Sequence, residues 1–583
     1  MTQYFWQTFR ASCVLFVALG LSLPAFAQTP NRPNIVFILA DDLDAQQQSI
    51  SYMPKLKELI ADQGTTFKNF FVNITLCCPS RASILRGQYA HNTKVLTNDP
   101  QNGAYPLFYS QGLENSTMAT WLKAAGYRTA MLGKYLNHYP LANNRAHVPP
   151  GWDEWSVPIE EADPYSGYNY RMNQNGAIVA YGAQASDYLT DVLSGKATDF
   201  IQRAVRDNKP FFVYLAPYTP HEPATPAPRH QNEFPGLTAP RPPSFNEAEV
   251  SDKPAWLRSF SLLTPRQIQN TDELYRQRAQ SLLAIDEMIA NIVQTLQSAN
   301  ALANTYIIFT SDNGLHMGEH RLAQRKQTPY EEAIHVPMLV RGPGVPAGQT
   351  LEHLAMNIDF APTFAELAGA AAPSFVDGRS LVPLLKNNPP SPASWRQAAL
   401  IEHKEDSTSI RIPDYQGLRK PDLLYVEYAT GEREYYNLLT DPYQLQNQYQ
   451  SANPALMAQL ASELAKLRNC AGANCATVGV AERQDNGLPL KFELYQNYPN
   501  PFRASGTVTS PSTTIRFSLP QREQVTLKVF DLNGHEIATL IDGDLEAGTH
   551  SVTFEPRVAA SSLYFYKITA GKFSQTRKAV LMK

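Results

Sequence analysis

Uninterrupted apolar runs recur along the chain, and each stops at a polar cluster. Asn34–Ala40 gives way to Asp41-Asp42, Tyr127 to Leu132 to Gly133-Lys134, Phe211–Ala216 to the segment Pro217 to His221, and Tyr306 to Thr310 to Ser311-Asp312-Asn313-Gly314. Runs of this length without polar alternation predict strands buried on both faces. Thr66 to Val72 and Val336 to Arg341 read as further strands. Helical patterns fill the intervals: Met53 to Asp62 stopped by Gly64, Met118 to Ala125 closed by Gly126, Tyr188 to Val205, and Glu273 to Ala299. Strands alternating with helices predict an α/β fold built on a mostly parallel sheet. Open sheets of that kind hold ligands beyond the carboxyl ends of their strands, so the polar clusters are candidates for one shared site.

Thr75-Leu76-Cys77-Cys78-Pro79-Ser80-Arg81-Ala82-Ser83-Ile84-Leu85-Arg86-Gly87 reads as a loop turning into a helix, with Pro79 at the first helical position and Gly87 at the exit. Cys77 and Cys78 then lie at a helix N-terminus, where unpaired N–H groups favour an anion or a thiolate. Arg81, one turn in, carries a planar fork of donors suited to oxyanions. A buried structural cysteine pair is the alternative at this stage. Asp41, Asp42, Asp312 and Asn313 are hard oxygen ligands, a set that suits Ca²⁺ or Mg²⁺ far better than Zn²⁺; without a shared cation they are caps and Asx turns. Lys134 follows a strand end directly, and the prolines around His221 predict extended backbone there.

Composition changes the picture in two ways. With 583 residues, 43% hydrophobic, the chain has room for two or three cores, and a formal net charge of −3 with no basic block gives no electrostatic case for nucleic acid. Residues 1–27 have the pattern of a signal peptide: Arg10, an apolar run from Ala11 to Leu23, and Ala25-Phe26-Ala27 as the cleavage motif. That run is too short for a membrane span and no later one is long enough, so the expected mature chain is exported and has no transmembrane segment. In an oxidising compartment Cys470 and Cys475 could close a small local disulfide; two free thiols or a weak metal clip are the alternatives.

Cys77-x-Pro79-Ser80-Arg81 resembles the sulfatase signature Cys-x-Pro-Ser-Arg. Gly133-Lys134-Tyr135-Leu136-Asn137 and His147-Val148-Pro149-Pro150-Gly151-Trp152 resemble the branch of N-acetylglucosamine-6-sulfatases and extracellular heparan sulfate 6-O-endosulfatases, and Tyr435 to Pro442 resembles the sulfatase C-terminal subdomain. The resemblance implies an alkaline-phosphatase-like catalytic domain over 32–375, its sheet sandwiched by helices, and a small α+β subdomain over 376–469. It implies that a formylglycine-generating or anaerobic sulfatase-maturating enzyme oxidises Cys77 to formylglycine. It further implies Ca²⁺, in preference to Mg²⁺, on Asp41, Asp42, Asp312, Asn313 and modified Cys77. Lys134, Lys326 and His221 would surround the sulfate, with His221 or Lys326 as the acid, and Arg81 would hold the formylglycine and the metal-side carboxylates. Many sulfatases carry a histidine two residues after the lysine; Leu136 stands there, which leaves that role to Asn137 or His138. His316 and His320 could contact substrate or be solvated. The expected reaction is hydrolysis of a carbohydrate sulfate ester, the 6-O-sulfate of N-acetylglucosamine first. The alternatives are a phosphonate or phosphodiester hydrolase of the same superfamily and an inactive surface glycan-binding protein.

Beyond a linker at 470–491 the texture changes. Thr513–Leu519 and Val525 to Phe530 alternate, with Asp531-Leu532-Asn533-Gly534 as a turn, and about seven short strands within 492–583 predict an all-β sandwich. A carbohydrate-binding or fibronectin-like spacer is one reading. The opening, Tyr495 to Phe502, and the ending resemble the C-terminal sorting domain of the type IX secretion system, which implies that machinery as a partner and an extracellular or outer-membrane-surface location.

Overall fold

The computed structural model describes residues 32–477 and 492–582, apart from 47, 161–162, 407–410, 503–510, 557–561 and 572. The expected signal segment and residues 478–491 of the expected linker lie outside the described residues. The chain divides into two compact units, one of residues 1–390 and 398–478 and the other of 391–397 and 479–583.

In the first unit the buried runs are neighbours in a ten-stranded sheet ordered Gln349–Met356, Thr65–Phe71, Met338–Arg341, Thr305–Ser311, Asn34–Ala40, Phe211–Ala216, Arg128–Gly133, Glu154–Ile159, Arg171–Gln174, Ala177–Ala180. The five strands from Thr305–Ser311 to Glu154–Ile159 run parallel. Met338–Arg341 is antiparallel to both its neighbours, and the far edge is an antiparallel hairpin. Ala40 pairs with Ser311 and Gly133 with Ala216, so these carboxyl ends lie close to level. That register brings Asp41, Lys134, Pro217 and Asp312 out along one edge.

Helices cover both faces, which is why these strands lack polar alternation. Val36 and Ile38 point to one side, into a core with Leu193, Phe200 and Ile201 of helix Leu189–Arg206 and Ile285 and Ile289 of helix Pro265–Ser298. Phe37 points to the other, its ring 4.7 Å from Phe360 and 5.3 Å from Phe364 of helix Phe360–Leu367. The long helix begins eight residues before the expected start because Thr264 caps it, accepting from the Gln267 amide. The expected helix from Met53 instead divides into a short α-helical turn, Pro54–Leu56, and a π-helical turn, Lys57–Ala61.

The same unit holds a four-stranded antiparallel sheet, Ala399–His403, Tyr415–Lys420, Leu423–Tyr428 and Arg433–Asn437, with helix Pro454–Leu467 against it. Tyr415–Lys420 was not expected as a strand: Gly417, Arg419 and Lys420 dilute its pattern, and Arg419 is buried only because it pairs with Glu331. Cys470 and Cys475 form a disulfide, so neither free thiols nor a metal clip describes them.

The second unit packs a three-stranded sheet (Glu493–Leu494, Thr513–Leu519, Gly548–Phe554) on a four-stranded one (Glu536–Leu545, Glu523–Phe530, Ser562–Ala570, Phe573–Leu581). Phe517 and Phe554 from one sheet meet Val525, Tyr566 and Ile568 from the other, which makes a sandwich core. Among the described residues no helix is long and apolar enough to cross a membrane.

Candidate active site

The helix Cys77–Arg86 is buried along its whole length. It begins at Cys77, with Leu76 as N-cap, two residues before the position expected from Pro79. A proline in this first turn is tolerated because the first four helical N–H groups have no intrahelical partner. Ser80 N closes the first bond to Leu76 O at 3.0 Å, and Gly87 ends the helix at φ +67°, in the left-handed region.

Cys77, 2% exposed, lies under the strand ends. Lys326 Nζ stands 2.9 Å from its Sγ and 2.6 Å from Asp42 Oδ1, and Asp41 Oδ1 is 3.7 Å from the sulfur. Lys134 Nζ pairs with Asp41 Oδ2. Arg81 donates from Nε to Asp312 Oδ2 at 2.8 Å and from Nη1 to Lys134 O at 2.8 Å, with Nη2 3.9 Å from Asp41 Oδ1. His221 Nε2 is 3.5 Å from Asp42 Oδ2, while Nδ1 lies 2.8 Å from Glu222 O. The expected extended backbone at His221 is instead a pair of turns: Pro220 and Pro223 cannot donate, so His221 N bonds Tyr218 O and Ala224 N bonds His221 O.

These contacts set the ionisation. Burial penalises charge on Asp41, but Lys134, His221, Arg81 and Lys326 outweigh it and hold the carboxyl well below the usual range. Asp42 is held down against burial chiefly by Lys326, then His221. Asp312 is pushed up to about 6 by burial and by Asp41, against the pull of Arg81. Burial lowers His221, with Asp42 and Asp41 opposing. For Cys77 burial overrides both lysines and pushes the thiol up to about 11, so the thiolate suggested by the helix N-terminus does not form near neutral pH.

One oxygen, sulfur or nitrogen donor from each of Asp41, Asp42, Cys77 and His221 lies within 4.8 Å of the others, the spacing of a cation site among the described residues. Asn313 Nδ2 donates to Asp42 Oδ1 at 2.6 Å, and its Oδ1 is buried with no hydrogen-bond partner, as a ligand oxygen would be. Asp312 Oδ1 accepts from the amides of Asp42 (3.1 Å) and Asn313 (2.9 Å). Gly314 is required after this pair, since a Cβ there would lie 2.0 Å from Glu332 O.

Other expected residues lie further out. Asn137 Nδ2 is 3.5 Å from the Tyr165 hydroxyl, and His138 is half-exposed, 3.8 Å from Glu160. His316 is fully buried with Nε2 on Thr328 Oγ1 at 2.7 Å, and His320 is buried against Tyr330 and Glu247. Two groups at the site escaped sequence reasoning. Arg278, buried in the long helix, donates to Asp42 O and, at 3.0 Å, to Pro220 O, tying the acidic loop to the His221 turn; a lone arginine on an apolar helix face was the available signal. Tyr165 lies with its ring centroid 4.5 Å from that of His221, and nothing in its Tyr-rich loop marks it.

A buried acidic pair, two lysines, an arginine and a histidine around one side chain form a setting for an anionic ester group beside a cation. The chain matches the sulfatase family over residues 33–370 and the C-terminal region of N-sulphoglucosamine sulphohydrolase over 318–470. It is 36% identical over 507 residues to N-acetylglucosamine-6-sulfatase of Homo sapiens, covering 80% of this chain and 90% of that protein. A solved structure in complex with its substrate D-glucosamine-2-N,6-O-disulfate aligns with a TM-score of 0.62 at 26% identity, over 75% of this chain and 97% of the other. The phosphonate monoester hydrolase of Agrobacterium radiobacter aligns with a TM-score of 0.60 at 21% identity, over 78% and 99%, a likeness of fold alone.

Proposed function

The chain belongs to the sulfatase family of sulfuric ester hydrolases, and from that premise we propose that its target is the 6-O-sulfate of N-acetylglucosamine in a sulfated glycan. The observation that carries this reading is the convergence of Lys134, Lys326, His221 and the Asp41-Asp42 pair on Cys77. The choice of sugar rests on the identity to N-acetylglucosamine-6-sulfatase over most of both chains. Phosphonate or phosphodiester hydrolysis is the competing chemistry, supported only by likeness of fold.

Maturation of Cys77 to formylglycine and a cation, Ca²⁺ in preference to Mg²⁺, held by Asp41, Asp42, Asp312, Asn313 and position 77 would supply the oxygen nucleophile and the charge that polarises the sulfate. The orphaned Asn313 Oδ1 and the Asp41 and Asp42 oxygens, clustered with Cys77 and His221, fit such a cation, while Asp312 lies outside that cluster with its oxygens on two backbone amides and Arg81. Lys134 and Lys326 grip the sulfonyl oxygens and offset the charge that grows on them. Arg81 holds Asp312 in place and fixes the carbonyl end of the Lys134 segment. With Nδ1–H donated to Glu222 O, His221 turns Nε2 into the site; in its imidazolium form, which Asp42 and Asp41 favour against burial, the Nε2 proton passes to the departing sugar oxygen and leaves the neutral ring. Export follows from the signal-like residues 1–27 and the tail resembling a type IX sorting domain; the Cys470–Cys475 disulfide fits an oxidising compartment.

The test is sulfate release from a panel of N-acetylglucosamine-6-sulfate, its 3-sulfate, galactose-6-sulfate and a phosphonate monoester, using protein co-expressed with a maturase and supplied with calcium. The 6-sulfate of N-acetylglucosamine should lead by at least about tenfold, and EDTA should abolish turnover until calcium is restored. No release from any sulfate ester, with formylglycine verified at position 77 by mass spectrometry, would overturn the reading.

A further inference from the structure

Tyr165 touches both of the groups assigned above to the sulfate and the leaving oxygen, although it belongs to neither of their segments. It rides on the short turn Pro164–Ser166, whose N-cap Asp163 accepts from the Tyr165 amide at 3.1 Å. Its ring lies on the His221 ring, centroids 4.5 Å apart and planes tilted by 46°. The same ring holds the Lys134 ammonium 5.0 Å from its centroid. Tyr218 meets it edge-on at 4.9 Å and 90°, backing it from another side.

The two cationic groups are otherwise tethered unequally. Lys134 is 2% exposed and anchored by Asp41, so its reach is set. His221 has one close polar tether, Nδ1 to Glu222 O at 2.8 Å, with Nε2 a longer 3.5 Å from Asp42. One tether on Nδ1 leaves the imidazole free to swing about it. A ring packed against it in this tilted contact removes that freedom, because rotation would drive the two rings together. The Tyr165 hydroxyl contributes less: its described polar neighbour is Asn137 Nδ2, at a marginal 3.5 Å.

We propose that Tyr165 is a positioning residue for the reaction, its ring rather than its hydroxyl keeping the His221 imidazole aimed at the departing oxygen beside Lys134. The inference rests on the reading of His221 as the acid. It makes the aromatic face the requirement and the hydroxyl dispensable for turnover.

The experiment compares two sulfate esters on matured wild type, Tyr165→Phe and Tyr165→Leu. N-acetylglucosamine-6-sulfate releases an alkoxide that needs a proton; 4-nitrophenyl sulfate releases a phenolate that does not. Tyr165→Leu should lower kcat on the sugar ester by about 30-fold or more and on the nitrophenyl ester by less than about threefold, with KM little changed. Tyr165→Phe should stay within about threefold of wild type on both. In a His221→Ala background, which is slow from the outset, Tyr165→Leu should add less than about twofold on the sugar ester. Equal losses on both esters, a Tyr165→Phe as poor as Tyr165→Leu, or full additivity with His221→Ala would each overturn the inference. Should Tyr165→Leu misfold by thermal melting, the Tyr165→Phe comparison and a Tyr165→Met variant decide it in the same way. A wild type that hydrolyses neither ester would overturn the underlying reading and this inference with it.

Discussion

Lys326 Nζ donates to Asp42 Oδ1 at 2.6 Å, joining residues 284 positions apart in the chain. The carboxylate is buried and the lysine nearly so, 4% and 16% exposed, so little water shares the contact. Removing one member of such a pair leaves the other charge uncompensated. Lys326→Met should therefore cost about 3 kcal/mol in urea unfolding of the cation-free protein and lower ester hydrolysis by about 10²- to 10³-fold. Added calcium should recover part of the stability and none of the rate.

Cys77 and Cys78 are the free cysteines among the described residues, both buried, and burial pushes both thiols up, Cys77 to about 11. In unmatured protein at pH 8, iodoacetamide should label neither before unfolding and both after it, as read by intact mass. Rapid native labelling of Cys77 would contradict the packing described. Cys77→Ala should abolish turnover while shifting Tm by only a few degrees, since it removes one buried sulfur from a helix held by Arg81 and Ser80.

Glu331 gives a pH prediction away from the site. Burial works against its charge, but the Arg419 guanidinium, Nε at 2.6 Å from Oε1, and His335 override it and hold the carboxyl down at about 2. A depressed folded pKa stabilises above the unfolded value, about 4.3, and that stabilisation fades as pH falls toward 2. Wild type should exceed Glu331→Gln by about 3 kcal/mol at pH 7 and by about half that at pH 3, measured by urea unfolding at each pH. A pH-independent gap would show that the ion pair is not its source.

Tyr415 bears on Lys326 at one remove. Its hydroxyl donates to Gln327 O at 3.1 Å, and Gln327 N bonds Thr75 O at 3.1 Å, so the lysine's loop is clasped from the antiparallel sheet and from the cysteine loop together. Tyr415→Phe removes one neutral bond worth about 1 kcal/mol. It should lower kcat about fivefold with KM nearly constant, and Tm by less than about 3 °C.

Much of this was legible in the chain. Asn34–Ala40, Phe211–Ala216 and Thr305–Ser311 announced themselves because a strand covered on both faces must be apolar throughout. Asp41-Asp42 and Asp312-Asn313 announced a meeting place because each follows the carboxyl end of a buried strand; that the two strands are neighbours came from the structure. What stayed hidden depended on through-space partners. Tyr415–Lys420 could not be read as a strand without Glu331 to pair with Arg419, and Arg278 drew no notice because the two backbone carbonyls it meets lie in distant loops. The helix start at Cys77 was missed because proline is compatible with several first-turn positions and the sequence does not choose among them.

The amino-acid order alone thus establishes the local matters: which stretches are strands, which polar groups end them, and that a cysteine and an arginine share one short helix. Those follow from side-chain periodicity and backbone chemistry within a few residues. Ionisation was decided only by the tertiary structure. Asp41 is held charged, Asp312 is pushed to about 6 and Cys77 is kept a neutral thiol because burial and charges hundreds of residues away compete at distances under 4 Å, and no local pattern encodes who wins.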